Sequence, residues 1–135
     1  MLAAAASIQL LRARIVAHEQ LALNNLRQIA KACYFYFLSQ QQYPSNLPTL
    51  GPGGSNPPYL DSTLTQASPS KQGYTFTYAP APGGGPYTSF TLQGRPNQYQ
   101  VTGERSFYID QTLGVFATGK DEPADPADPD SSPIP

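Results

Sequence analysis

Residue types able to do chemistry are few in these 135 residues, and they lie far apart. A transfer or hydrolytic centre needs a nucleophile beside a base that a third group orients. His18 is the only histidine, and no acid or nucleophile is spaced to work with it, so no catalytic residue is assigned and the chain reads as a non-enzyme. His18 itself is expected to be a solvated helix residue. The single Cys33 excludes an internal disulfide and a multi-cysteine metal centre. It reads as a small buried apolar residue rather than a reactive thiol. Gly83-Gly84-Gly85 lacks the Lys-Ser/Thr pair and the following helix of a phosphate cradle, and is expected to be a turn. The acids outside helix and tail are Asp61, Glu104 and Asp110, which are weak calcium candidates. Their separation matches no ion-binding loop. No cofactor is implied.

What would position these residues is first a long helix over residues 1–42. Residues 1–41 contain no proline and no glycine. Leu11, Ile15, Ala22, Leu26, Ile29, Cys33 and Phe37 recur at helical spacing and stack along one stripe. About 40 residues at 1.5 Å each make a rod of roughly 60 Å, longer than a small domain can cover. Its first part is therefore expected to project into a membrane, a filament or a partner. Residues 1–11 are Ala- and Leu-rich all round, whereas 12–42 are amphipathic with Arg12, Arg14, His18, Glu19, Asn24, Arg27, Gln28 and Lys31 available for a polar face. Tyr34 to Leu38 are five large groups in succession, so the last turns are expected to be covered on several sides. Pro44 stops the helix.

Residues 43–71 read as a connecting loop, with Ser45 expected to cap a short turn from Leu47 to Leu50 closed by Gly51. Strand signals fill residues 72–119. Tyr74 to Tyr78 alternates aromatics with threonines, Tyr87 to Leu92 repeats the pattern, and Tyr99–Thr102, Ser106–Ile109 and Gly114–Thr118 are shorter candidates. Turn residues between them make an antiparallel meander, and its apolar face needs the helix as a cover. The expected fold class is α+β. The helix–sheet core is expected to hold Ala22, Leu26, Ile29, Cys33, Phe37, Phe76, Phe90, Leu92, Phe107, Ile109 and Val115. Residues 120–135 repeat Asp-Pro with Ala and Ser, the composition of an acidic disordered tail.

Proline and glycine make up 26 residues and charged groups only 13%. Five of nine acids (Asp121, Glu122, Asp125, Asp128 and Asp130) lie in the tail, which leaves +4 over residues 1–120. That charge is too small and scattered for a nucleic-acid footprint. Met1 to Leu11 amounts to half of the roughly 20 residues a bilayer span needs. No basic segment precedes it.

Long helix, connecting loop and small antiparallel sheet, in that order, resemble type IV pilins and the pseudopilins of type II secretion. The opening Met1-Leu-Ala-Ala-Ala-Ala-Ser-Ile-Gln-Leu-Leu-Arg-Ala-Arg14 looks like the second half of the pilin N-terminal segment. His18-Glu19-Gln20, Asn25 to Ile29 and Tyr34 to Phe37 are similar to its continuation. Tyr43-Pro44 to Leu50, Pro58 to Asp61, Gly73 to Tyr78 and Arg105 to Asp110 also match that group. Coverage is about residues 1–118. The family's processing motif, the proline expected near Ile8 and the paired C-terminal cysteines are absent from this sequence. The chain is thus expected either to be an atypical, non-inserted relative or to begin at an internal Met, as an N-terminally truncated pilin-like protein. In the latter case an upstream segment with a cleavable leader would precede it.

The resemblance implies a structural subunit of a pilus-like filament, with other copies of itself and other pilin-like subunits as partners, together with inner-membrane assembly machinery. Leu2, Ala3, Ala4, Ala5, Ala6, Ile8, Leu10, Leu11 and Ile15 would pack in the filament core, where small side chains let helices approach closely. It also implies a bitopic inner-membrane protein with a periplasmic domain before assembly. After assembly the filament would be periplasmic or at the cell surface. The alternatives are a secretion pseudopilin, which in some cases binds calcium, and a soluble module that docks through its exposed helix.

Overall fold

The computed structural model describes residues 2–55, 57–66, 68–81, 85–127 and 131–134, the first seven of these by backbone alone. Helix α1 runs Leu2–Gln40. It ends where Gln41 turns left-handed (φ 60°) and donates its N–H to the Phe37 carbonyl at 2.7 Å, three residues before Pro44. Six strands follow: β1 Ser70–Lys71, β2 Tyr74–Pro80, β3 Phe90–Pro96, β4 Ser106–Asp110, β5 Val115–Thr118 and β6 Ser132–Ile134. They pair antiparallel in simple sequence order, so the chain is an α+β fold with one helix across a six-stranded meander.

Register explains how the sheet accepts the helix. Phe76, Gly94, Phe107 and Ala117 are successive cross-strand partners, and Tyr78, Leu92, Ile109, Val115 and Ile134 form the neighbouring row. In the first row large rings alternate with very small residues. A Cβ on Gly94 would lie 3.1 Å from the Phe76 ring and 3.7 Å from Leu26 Cδ1, so Gly94 leaves the space that α1 fills. On the helix, Ala22, Leu26, Ile29 and Cys33 are buried against the sheet, and Phe37 is half-buried beside them. Phe76, Phe90, Leu92, Phe107, Ile109 and Val115 complete the core.

Four features differ from the sequence expectation. Asn46, not Ser45, caps the 3₁₀ turn Leu47–Leu50, because its Oδ1 accepts the Thr49 N–H at 3.1 Å. The connector is part of the core: Leu47, Leu50, Leu60 and Leu64 are buried, and the Leu50 carbonyl binds the N–H groups of both Tyr59 and Leu60. Tyr99–Thr102 is a turn rather than a strand. Gln100 takes a left-handed φ of 64°, and the Gln98 carbonyl accepts from Val101 and Thr102. The tail is ordered over its described ends. Asp121 pairs with Arg95 at 2.9 Å, Ala124 is buried, and β6 adds to the edge of β5. Asp-Pro repeats conceal this, because only Ile134 carries an apolar signal and it meets its row at the sheet edge.

Candidate assembly face

Among the described side chains, the helix is covered over its second half. Buried positions run from Glu19 to Cys33, whereas upstream Leu10 is 64% exposed, Val16 57%, and Leu11 is also exposed. Ile15 is half-buried. The side chains of Leu2, Ala3, Ala4, Ala5, Ala6 and Ile8 lie outside the described residues.

Where α1 leaves the sheet, a polar clamp holds it. Glu19 is the only acid in residues 1–41, and it is buried. Its Oε1 accepts the backbone N–H of Glu104 at 3.2 Å and of Arg105 at 2.9 Å, while Oε2 meets Arg105 Nε at 3.3 Å. The Arg105 guanidinium in turn lies 5.2 Å over the Phe107 ring, and the Arg105 carbonyl accepts the Tyr74 hydroxyl at 2.6 Å. One residue earlier, His18 Nδ1–H donates to the Thr102 carbonyl at 2.9 Å. His18 is therefore half-buried and bonded rather than solvated. Between the helix and the turn after β3 lies an open cleft of about 560 Å3, with Leu11, Ile15 and Val16 on its apolar side and Glu104 at its rim.

At the other end of α1, Tyr34, Phe35 and Leu38 are exposed, which corrects the expectation that the last turns are covered on several sides. Tyr36 and Phe37 turn in among the neighbouring rings, Tyr36 edge-on to Tyr59 at 5.8 Å and Phe37 stacked on Tyr43 at 4.6 Å. Cys33 is buried, and desolvation pushes its thiol up to about 12. That favours an inert, protonated sulfur.

Of the three calcium candidates, Asp61 and Asp110 hold local hydrogen-bond partners, and Glu104 contributes only its backbone N–H to a contact. Asp61 Oδ1 accepts from Thr63 N–H and Oγ1, and the Thr63 hydroxyl holds its carboxyl below the ordinary range. Asp110 is bound by Thr112 through Oδ1 and by the Tyr108 hydroxyl through Oδ2. Glu104 sits at the clamp. Among the described residues no group of three or more His, Cys, Asp or Glu side chains could hold a metal ion. Gly83 and Gly84 lie outside the described residues.

No helix among the described residues is long and apolar enough to cross a membrane. This overturns the expectation of a bitopic inner-membrane protein, for a plain physical reason. Arg12 and Arg14 place two guanidinium groups just after Leu11, so the apolar run ends far short of a bilayer's thickness. No protein-family model, curated protein or solved structure matches the chain. Its architecture and the exposed half-helix therefore carry the functional argument. Sequence reasoning missed the Glu19–Arg105 clamp. The available signal was a lone carboxylate on a helix whose other charges are all basic.

Proposed function

We propose that this chain is a structural subunit that assembles with further copies into a pilus-like filament. Its N-terminal helix packs with those of its neighbours, and the sheet domain is carried outside. The observation that supports this reading is the length of α1: 39 residues, of which the sheet buries only the stretch from Glu19 to Cys33. From Gln9 to His18, at 1.5 Å per residue, about 15 Å of rod carries mostly exposed side chains. Exposed Leu10, Leu11 and Val16 are costly for a lone molecule and are relieved when copies pack side by side. The resemblance to type IV pilins, drawn from residue order, implies the same role.

The test is assembly of the purified chain, followed by sedimentation and electron microscopy, against Leu10→Glu with Leu11→Glu. The wild type is expected to form elongated assemblies. The double variant is expected to stay monomeric with an unchanged thermal transition, since neither residue touches the folded core. Filaments that persist in the variant would overturn the role of the helix.

A further inference from the structure

Charge is divided between two opposite faces of the molecule. On α1 the ionised groups other than buried Glu19 are all basic: Arg12, Arg14, Arg27 and Lys31. Residues 121–135 hold five acids and no base. The sheet stands between the two. Phe90, Leu92 and Gly94 of β3 face α1, so Arg95 points from the far side. Asp121 is bound there by Arg95 at 2.9 Å. Asp125 lies close enough to Tyr108, also on that far side, for its charge to help raise the phenol. The acidic segment is tethered twice, by the Arg95–Asp121 pair at its start and by β6 pairing with β5 at its end. Held in this way, Asp121 and Asp125 lie across the sheet from the helix of their own chain.

We propose that the acidic C-terminal segment of one copy, through Glu122 and Asp125, docks on the basic helix of a second copy at Arg12 and Arg14. The contact joins unlike faces, front to back. A heterologous contact of this kind leaves a free acceptor and a free donor on every pair, and it grows into an open chain unless its rotation happens to close a ring. The inference rests on the self-assembly reading above. It adds which face meets which, and the force that selects the partner. Charge complementarity of exposed groups steers and orients association more than it tightens it. The apolar half-helix would supply cohesion, and the charges the order.

The experiment uses the full chain. Assembly of the wild type is measured by sedimentation between about 0.01 M and about 1 M salt, over which the Debye length falls from about 30 to about 3 Å. Two charge reversals accompany it, Arg12→Glu with Arg14→Glu, and Glu122→Lys with Asp125→Lys. The wild type is expected to assemble less as salt rises. Each reversal alone is expected to need about tenfold more protein for half-assembly, from the loss of two exposed pairs and the repulsion that replaces them. An equimolar mixture of the two variants is expected to recover assembly, because each then presents the face the other lacks. This recovery separates the contact from misfolding or from damage to the neighbouring apolar stripe. If the wild type assembles equally at all salts, or the mixture fails to recover, the contact is overturned while self-assembly stands. If the wild type assembles at no salt, both readings fall.

Discussion

Cys33 and Glu19 show how differently one helix face can treat a polar group. Both point from α1 into the domain and both are buried. Cys33 has aromatic neighbours and is kept neutral, with its thiol raised from 9.0 to about 12 by desolvation. Glu19 meets two backbone N–H groups and a guanidinium, the partners a buried carboxylate needs. The first leads to a pH prediction whose sign is fixed. A thiol whose folded value lies above its unfolded value keeps its full stabilising contribution below pH 9.0, then loses it as pH rises toward about 12. Burial also raises the phenols of Tyr74 and Tyr78, which act in the same direction. Urea midpoints measured across that interval should fall steadily, and thiol reagents at neutral pH should label Cys33 only after unfolding. Rapid labelling of the folded protein would place the sulfur at the surface.

Among the elements, the turn between β4 and β5 shows where a sequence can be read and where it cannot. The strands themselves were legible: Tyr74 to Tyr78 carries a clear alternation that survives as register, and Ser106 to Ile109 stood out as a shorter candidate. The helix was legible from the absence of breakers. Turns depend instead on single backbone angles. In Asp110-Gln-Thr-Leu-Gly114, the Asp110 carboxylate fastens Thr112 and its carbonyl accepts the Leu113 N–H at 2.9 Å. This closure puts Leu113 at φ 65° with its side chain exposed. No pattern predicts that a leucine would take a left-handed position, which costs an L-residue roughly 1–2 kcal/mol. Leu113→Gly relieves this strain and loses about 0.5–1 kcal/mol through added freedom of the unfolded chain. A net gain of about 0.5–1 kcal/mol in urea unfolding is expected. A loss would mean that Leu113 makes packing contacts its exposure does not suggest. The Glu19 clamp was illegible for a related reason. Its partners lie 85 and 86 positions away, on a turn whose place depends on β3 and β4 pairing first.

At the scale of the molecule, the sheet separates an apolar, basic helix from an acidic segment, and the C-terminal residues decide whether that separation holds. The Asp-Pro composition pointed to an acidic disordered tail. Its described ends instead do structural work. Ile134 completes the row that begins at Tyr78, and three register pairs join β6 to β5. Ala124 is buried, and the Tyr108 and Phe116 rings meet edge-on at 6.4 Å on the side of the sheet where Asp121 is bound. Ending the chain after Gly119 strips one partly buried isoleucine and leaves β5 as an open edge. The expected cost is about 1–3 kcal/mol from lost apolar burial, which at this size lowers Tm by several degrees. Ile134→Ala in the full chain should recover a part of that loss, because it removes the anchor but not the acidic segment. Calorimetry of the three proteins would order them as wild type, then Ile134→Ala, then the truncated chain. Three identical transitions would show that β6 does not pair in solution. The acidic residues would then hang from the Arg95 contact alone, free to reach any face of the same molecule.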